Sequence, residues 1–275
     1  MKFKTLFKIL AGILLFIAVE RFCHRQTAGF AVNWTSSDLI LDSQICASLS
    51  DEDRTQLSAI LNQKFRFLGS GGTFYAFVSE DDQYVVKFFK HHHLKWDKTK
   101  KERIVRSIKV AYESFKNETG LLYVHLQKVP IFHSSLTITD KIGIKHQIDL
   151  SKTEFLVQKK ATMIHQTLDN LMQRGEIDAA KQTLNKLITF CRSLMRQLNE
   201  KGYFDHDPNI LTNYGVLDGQ IIKIDVGPFY SMDNPKAKKQ IDKLNMHLQK
   251  FQLFLNEDYP ELAASFAVDL EKVSL

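Results

Sequence analysis

Cysteine is scarce in this chain: Cys23, Cys46 and Cys191 are spread over 275 residues and form no CxxC pair. A disulfide framework and a cysteine zinc site are both excluded by that spacing. Neither charge sign dominates enough to demand nucleic acid, because 37 Lys and Arg face 31 Asp and Glu for a net charge of +6. So mild an excess favours anionic ligands or membrane surfaces. No internal repeat with a period of about 20 to 50 residues is present, which excludes solenoids and propellers. A composition 44% apolar and 25% charged excludes disorder over most of the length. Long hydrophobic runs are also missing. The longest, Ile9 to Val19, has eleven residues, and at ~1.5 Å each it falls short of a hydrocarbon core of about 30 Å.

That run nevertheless marks the first 30 residues as a different material. Lys2, Lys4 and Lys8 precede it and Glu20 and Arg21 follow at once, the layout of a signal-type apolar region. No small-x-small cleavage site follows, so an uncleaved anchor and a signal peptide both stand, beside a short core helix. Positive charge on both flanks leaves the orientation open. The expected organisation is a signal or anchor segment (1–30), a lead-in (31–60), a strand-rich part (61–158) and a helical part (159–275). A membrane-associated or exported location follows from the first of these.

In the lead-in, Ser50 with Glu52 and Asp53 reads as a helix start. Strands are expected at Phe65 to Leu68, Phe74 to Val78 and Tyr84 to Phe89, in antiparallel succession. A basic stretch from Lys87 to Arg103 reads as a surface, and the run His91, His92, His93 within it is not spaced for a metal. A helix is expected from Val105 to Leu126, then strands at Ile142 to Leu150 and Phe155 to Lys159, separated by a polar break at Ser151 to Glu154. Ile177, Ala180, Leu184, Leu187, Ile188, Cys191, Leu194, Met195 and Leu198 recur every three or four residues, one face of a helix stopped by Gly202. Cys191 on that face reads as a buried hydrophobe. A hairpin turning at Asp218 and Gly219 and a helical tail from about Pro235 complete the pattern.

Three constellations carry chemistry. Gly69, Ser70, Gly71 and Gly72 lie between two strands, where glycines let backbone N–H groups wrap a phosphate. Lys87 follows Val85 and Val86 on the next strand, placed to reach phosphates held by such a turn. The third is the polar stretch Gly202 to Gly227, in which the apolar strand Ile221 to Ile224 runs into Asp225. A carboxylate there is costly unless paired or bound to a cation, which makes Asp225 a magnesium ligand candidate.

In their order, these elements resemble the protein-kinase-like superfamily: glycine-rich loop, strand lysine, catalytic loop with Asp207 and Asn213, then Asp225-Val226-Gly227 as the Asp-x-Gly metal motif. The resemblance covers about residues 64 to 250 and is looser toward small bacterial kinase-like proteins of the PhoP-regulatory-network type. It implies an α+β, bilobal fold with a small antiparallel-sheet N-lobe containing one helix and a reduced, mainly helical C-lobe, the nucleotide lying between. It also implies roles. Lys87 would hold the α and β phosphates of ATP, and Glu118 would orient Lys87, with Glu113 as the alternative. Asp207 would accept the proton of the attacking hydroxyl, while Asp225 and Asn213 would bind Mg2+. Phe74 stands where a third loop glycine is usual, Asp205-His206-Asp207 replaces the usual His-x-Asp, and Asp207 to Asn213 is one residue longer than the family spacing. The register Asp205 with Asn209 therefore stays open beside Asp207 with Asn213.

The function these residues imply is ATP- and Mg2+-dependent phosphoryl transfer to an unidentified hydroxyl acceptor, with membrane association through residues 1–19 and no nucleic acid partner. A nucleotide-binding pseudokinase and a membrane-tethered adaptor are the alternatives.

Overall fold

The structure, a computed structural model, describes residues 3–35, 50–94, 97–126, 135–233, 236 and 239–272. Along the chain α1 (Phe3–Thr27) and a 3-10 turn (Val32–Trp34) precede α2 (Asp51–Leu61), β1 (Phe65–Ser70), β2 (Phe74–Ser79) and β3 (Tyr84–Phe89). Then come α3 (His91–Leu94), α4 (Lys98–Ser114), α5 (Lys116–Thr119), β4 (Leu121–His125), β5 (Ser135–Thr139), β6 (Lys145–Asp149) and β7 (Phe155–Lys159). The remainder is β8 (Thr162–Met163), α6 (Ile164–Gln173), α7 (Ile177–Glu200), β9 (Tyr203–Asp205), α8 (Ile210–Asn213), β10 (Tyr214–Leu217), β11 (Gln220–Lys223), β12 (Phe229–Ser231), α9 (Gln240–Asp258) and α10 (Pro260–Lys272). The fold class is α+β, as expected. Two compact units share these elements: Met1–Trp96 with His125–Val157, and Asp97–Val124 with Gln158–Leu275.

In the first unit the strands run in the order β7-β3-β2-β1-β5-β6. The three expected strands are present, with Ser50 capping α2 by accepting from the Asp53 N–H at 3.1 Å. The sheet departs from the expected antiparallel one where β5 runs parallel to β1, with Phe65 beside Ile138. Sequence reading had no strand at β5, although its alternation is clean, with Leu136 and Ile138 buried. The expected strand Ile142 to Leu150 is in fact a turn followed by β6. Asp140 folds that turn by accepting the N–H groups of Ile142 and Ile144 at 3.1 and 2.9 Å. The core also reaches ahead of these strands. Phe30 is buried and meets Tyr75, Phe77 and His146 edge-on, with ring centroids 5.2, 5.3 and 5.5 Å away.

The second unit is built on α7. Its stripe Leu184, Leu187, Ile188 and Cys191 packs with Leu244, Leu248 and Phe251 of α9, Phe266 of α10 and Leu168 of α6. Cys191 is buried, and burial pushes its thiol up to about 12; Cys46 lies outside the described residues. The helix expected from Val105 to Leu126 is a second correction. α4 starts earlier and ends at Ser114, α5 is a single turn, and Leu121 to His125 is strand. Phe115 leaves helical geometry at φ −138°, and Gly120 takes the left-handed φ of 65°, where an L side chain is strained. Among the described residues no helix is long and apolar enough to cross a membrane.

Candidate functional site

In the first unit the glycine-rich turn joins β1 to β2 and is closed by the Gly71 N–H on the Phe74 carbonyl at 3.0 Å. Glycine is normally needed where φ is positive or where backbones crowd. Neither applies here. Gly69, Gly71 and Gly72 are absent from the positive-φ residues, and a Cβ on any of them would meet nothing within 4 Å. Register then aligns this turn with the lysine: Gly69 is opposite Ala76 on β2, and Ala76 is opposite Lys87 on β3. Directly opposed residues share a sheet face, so the Lys87 side chain rises from a face whose next two positions in the rung are a methyl group and a hydrogen. Lys87 is buried. Ser70 belongs to the opposite face, where its hydroxyl donates to the Ala28 carbonyl at 3.3 Å.

In the second unit the stretch after α7 is tied by side chains. Asn213 donates through Nδ2 to the Asp207 carboxylate at 3.0 Å and to the Asp207 carbonyl at 2.8 Å. The β10–β11 hairpin pairs Tyr214 with Lys223, and its ladder continues as the Ile224 N–H on the Asn213 carbonyl at 2.7 Å. Asp225 is the next residue after that rung. Its Oδ1 accepts the Gly227 N–H at 3.0 Å. The Ser107 hydroxyl of α4 holds this turn from outside, donating to the Val226 carbonyl and accepting the Phe229 N–H at 2.8 Å.

Two residues here escaped the sequence reading. Lys223 is fully buried, its Nζ 2.6 Å from Asp205 Oδ2 and 3.1 Å from the Asp207 carbonyl. The Tyr214 hydroxyl donates to the same Asp205 oxygen at 3.3 Å. Asp205 is thus the acid of a buried ion pair, and Asn209 caps α8 by accepting the Leu211 N–H at 3.2 Å. His206 stacks on Tyr230 at 4.6 Å, and burial, then the charge of Lys243, hold its imidazole below the ordinary pKa. The only sequence signal for Lys223 was a charge within an otherwise apolar strand.

The structure places the remaining candidates as follows. Glu118 is on the single turn α5, half-buried, rather than on the long helix expected from Val105 to Leu126. Glu113 is exposed on α4, 4.0 Å from Lys109. Lys87 is in the first unit and both glutamates are in the second. The basic stretch is not all surface: Lys90 and Lys101 are buried, and Lys90 lies 4.6 Å over the Tyr75 ring with its pKa lowered by burial. His91 pairs with the fully buried Glu154 at 3.0 Å, while His92 stacks on Trp34 at 4.1 Å. Among the described residues, no group of three or more His, Cys, Asp or Glu is placed to hold a metal ion.

No family model matches the chain, and no curated protein matches it. Solved structures do. A co-crystal structure of WbdD with the kinase inhibitor LY294002 is 18% identical over 74% of this chain and 45% of its own, with a TM-score of 0.34. The ADP-bound aminoglycoside phosphotransferase APH(2'')-Ib is 10% identical over 81% of this chain and 97% of its own, at 0.28. Rv3197 with erythromycin, from Mycobacterium tuberculosis, is 12% identical over 94% of this chain and 74% of its own, also at 0.28. The chain spans less than half the length of the WbdD structures it matches. Likeness at these values carries no argument about activity.

Proposed function

We propose that the chain is a kinase-like phosphotransferase that uses ATP and Mg2+ to phosphorylate a hydroxyl acceptor. The observation that carries this reading is the Asp207–Asn213 hydrogen-bonded pair, with Asp225 next to it through the Ile224–Asn213 backbone bond. A carboxylate that could take a proton is thus bonded to one oxygen donor suited to a hard cation, and the second, Asp225, follows the rung that Ile224 shares with that donor. Magnesium is commonly held by one or two protein carboxylates, with phosphate and water completing its shell. Asn213 donates its N–H groups to Asp207, and its amide oxygen, which accepts the Thr212 hydroxyl at 3.0 Å, keeps a second lone pair that would face a cation.

The roles follow. Gly69, Ser70, Gly71 and Gly72 would offer backbone N–H groups to phosphate, and the bare Cβ positions of the glycines support such a close approach. Lys87 would hold the α and β phosphates, with Glu118, or Glu113, orienting it. Asp225 and Asn213 would hold the magnesium ions, whose charge offsets that of the phosphates. Asp207 would accept the proton of the attacking hydroxyl as the new P–O bond forms and ADP leaves with the electron pair of the broken bond. The lobe limits 61–158 and 159–275, the likeness to the PhoP-regulatory-network type, and a membrane-associated or exported location through residues 1–19 belong to the same proposal.

ATP affinity measured beside ATP turnover tests it. Parent protein should bind MgATP and turn it over, whereas Asp207→Ala should bind but not turn over. Binding without turnover in the parent would replace the kinase by a pseudokinase. A parent that binds no MgATP would leave only the adaptor.

A further inference from the structure

The sheet end that carries the glycine-rich turn also carries the stem of α1. β1 and β5 run parallel, so the turn after β1 and the turn Asp140–Ile144 after β5 lie at the same end. Both turns hold the last residues of α1: Ser70 through the Ala28 carbonyl, and Lys141 Nζ through the Arg25 carbonyl at 3.0 Å. The helix closes with Ala28 and Gly29 left-handed, at φ 52° and 65°, and with the Gly29 N–H on the His24 carbonyl at 2.9 Å. The Gly29 carbonyl accepts the Tyr75 hydroxyl, and Phe30 is buried beside that ring. So α1 leaves the sheet from a fixed stem.

Beyond the stem, the described side chains from Phe7 to Gln26 are all exposed. Ile13, Leu14, Leu15, Phe16 and Ile17 are consecutive and therefore ring the helix rather than form a stripe. An exposed apolar surface of that kind marks an interaction site. A second observation lies at the same sheet end, where Ile142, Ile144 and Leu68 are 51%, 52% and 46% exposed. Exposed Lys141 and Lys145 flank the two isoleucines. Asp140, the acid of that turn, is engaged by two backbone N–H groups and by His146 at 2.8 Å.

We propose that this sheet end and α1 together form a docking surface for an anionic lipid bilayer, with Ile9 to Val19 in hydrocarbon and Ile142 and Ile144 at headgroup level. Charge fits: Arg21, Arg25, Lys141 and Lys145 face Glu20 and the engaged Asp140. Distance fits as well. From Val19 to Arg25, the residue held by Lys141, the helix climbs about 9 Å, close to the ~5–8 Å of polar layer on each side of the hydrocarbon core. The glycine-rich turn then opens at the lipid surface.

The test uses the full chain with Cys23 and Cys46 changed to serine, carrying an environment-sensitive fluorophore at Ile142→Cys or at Glu80→Cys. Glu80 lies in the β2–β3 turn, at the other end of the sheet. With phosphatidylethanolamine–phosphatidylglycerol vesicles, the label at 142 should shift to the blue and be quenched by brominated acyl chains, and the label at 80 should not. Ile142→Asp with Ile144→Asp should lower vesicle partition by about tenfold or more with an unchanged unfolding midpoint. Flotation with no change at 142, or equal quenching at both positions, overturns the proposal. So does a chain that ignores vesicles and instead forms oligomers that Phe16→Asp dissolves.

Discussion

The two groups of candidate residues are built on opposite plans. Around Asp207 every polar side chain has assigned work: Asn213 on Asp207, Lys223 on Asp205, Asp225 on its own turn. Around the glycine-rich turn, the β1–β2 register shifts between Phe67 and Gly69 and the tip is bare. Carboxylates that must hold a charge in one place benefit from preorganisation. A backbone that must receive a large anion benefits from room.

The sharpest way to break that contrast is Lys223→Met, which strands buried Asp205. It should cost about 3–5 kcal/mol in urea unfolding; a cost near zero would show that the second unit is not held by this pair. Next in size is a pH effect confined to the first unit. Burial lowers the His125 pKa from 6.5 to about 4, against the opposing pull of Glu154. Between those values only the unfolded chain binds the proton, so stability should be full above pH 6.5 and decline as pH falls to about 4. The decline should be about 3 kcal/mol, and His125→Gln should remove it.

Glycines offer a finer test. A Cβ at Gly215 would sit 2.7 Å from the Thr162 carbonyl oxygen, so Gly215→Ala should destabilise by about 1–3 kcal/mol. Gly71→Ala and Gly72→Ala should instead raise stability by about 0.4–1 kcal/mol while weakening ATP binding. Destabilisation there would mean that the turn serves the fold.

Much of this architecture was legible in the sequence because it rests on periodicity. The stripe from Ile177 to Leu198 dictates α7, and the runs around Phe65, Phe74 and Tyr84 dictate three strands. Residues whose burial depends on distant partners were not legible. Glu154 stood in an apparently polar break, yet it is fully buried against His91; Lys90 and Lys101 sat in a basic run, yet both are buried. β5 alternates cleanly over only five residues, and its place in the sheet depends on its distant parallel partner β1. Of the two catalytic-loop registers, Asp207 with Asn213 is one residue longer and Asp205 with Asn209 one residue shorter than the family spacing, and the separation from Asp225 favours Asp207. In the structure Asp205 pairs with Lys223 and Asn209 caps α8, while Asp207 and Asn213 bond to each other.

Asp225 bears the central claim most directly, and magnesium-dependent ATP binding by the parent and by Asp225→Ala is the measurement. The parent should bind MgATP well above ATP alone, and Asp225→Ala should lose the difference. The variant's unfolding midpoint should hardly move, because the carboxylate is part-exposed and its bond is to a turn N–H. An Asp225→Ala protein that binds MgATP as the parent does would contradict the account.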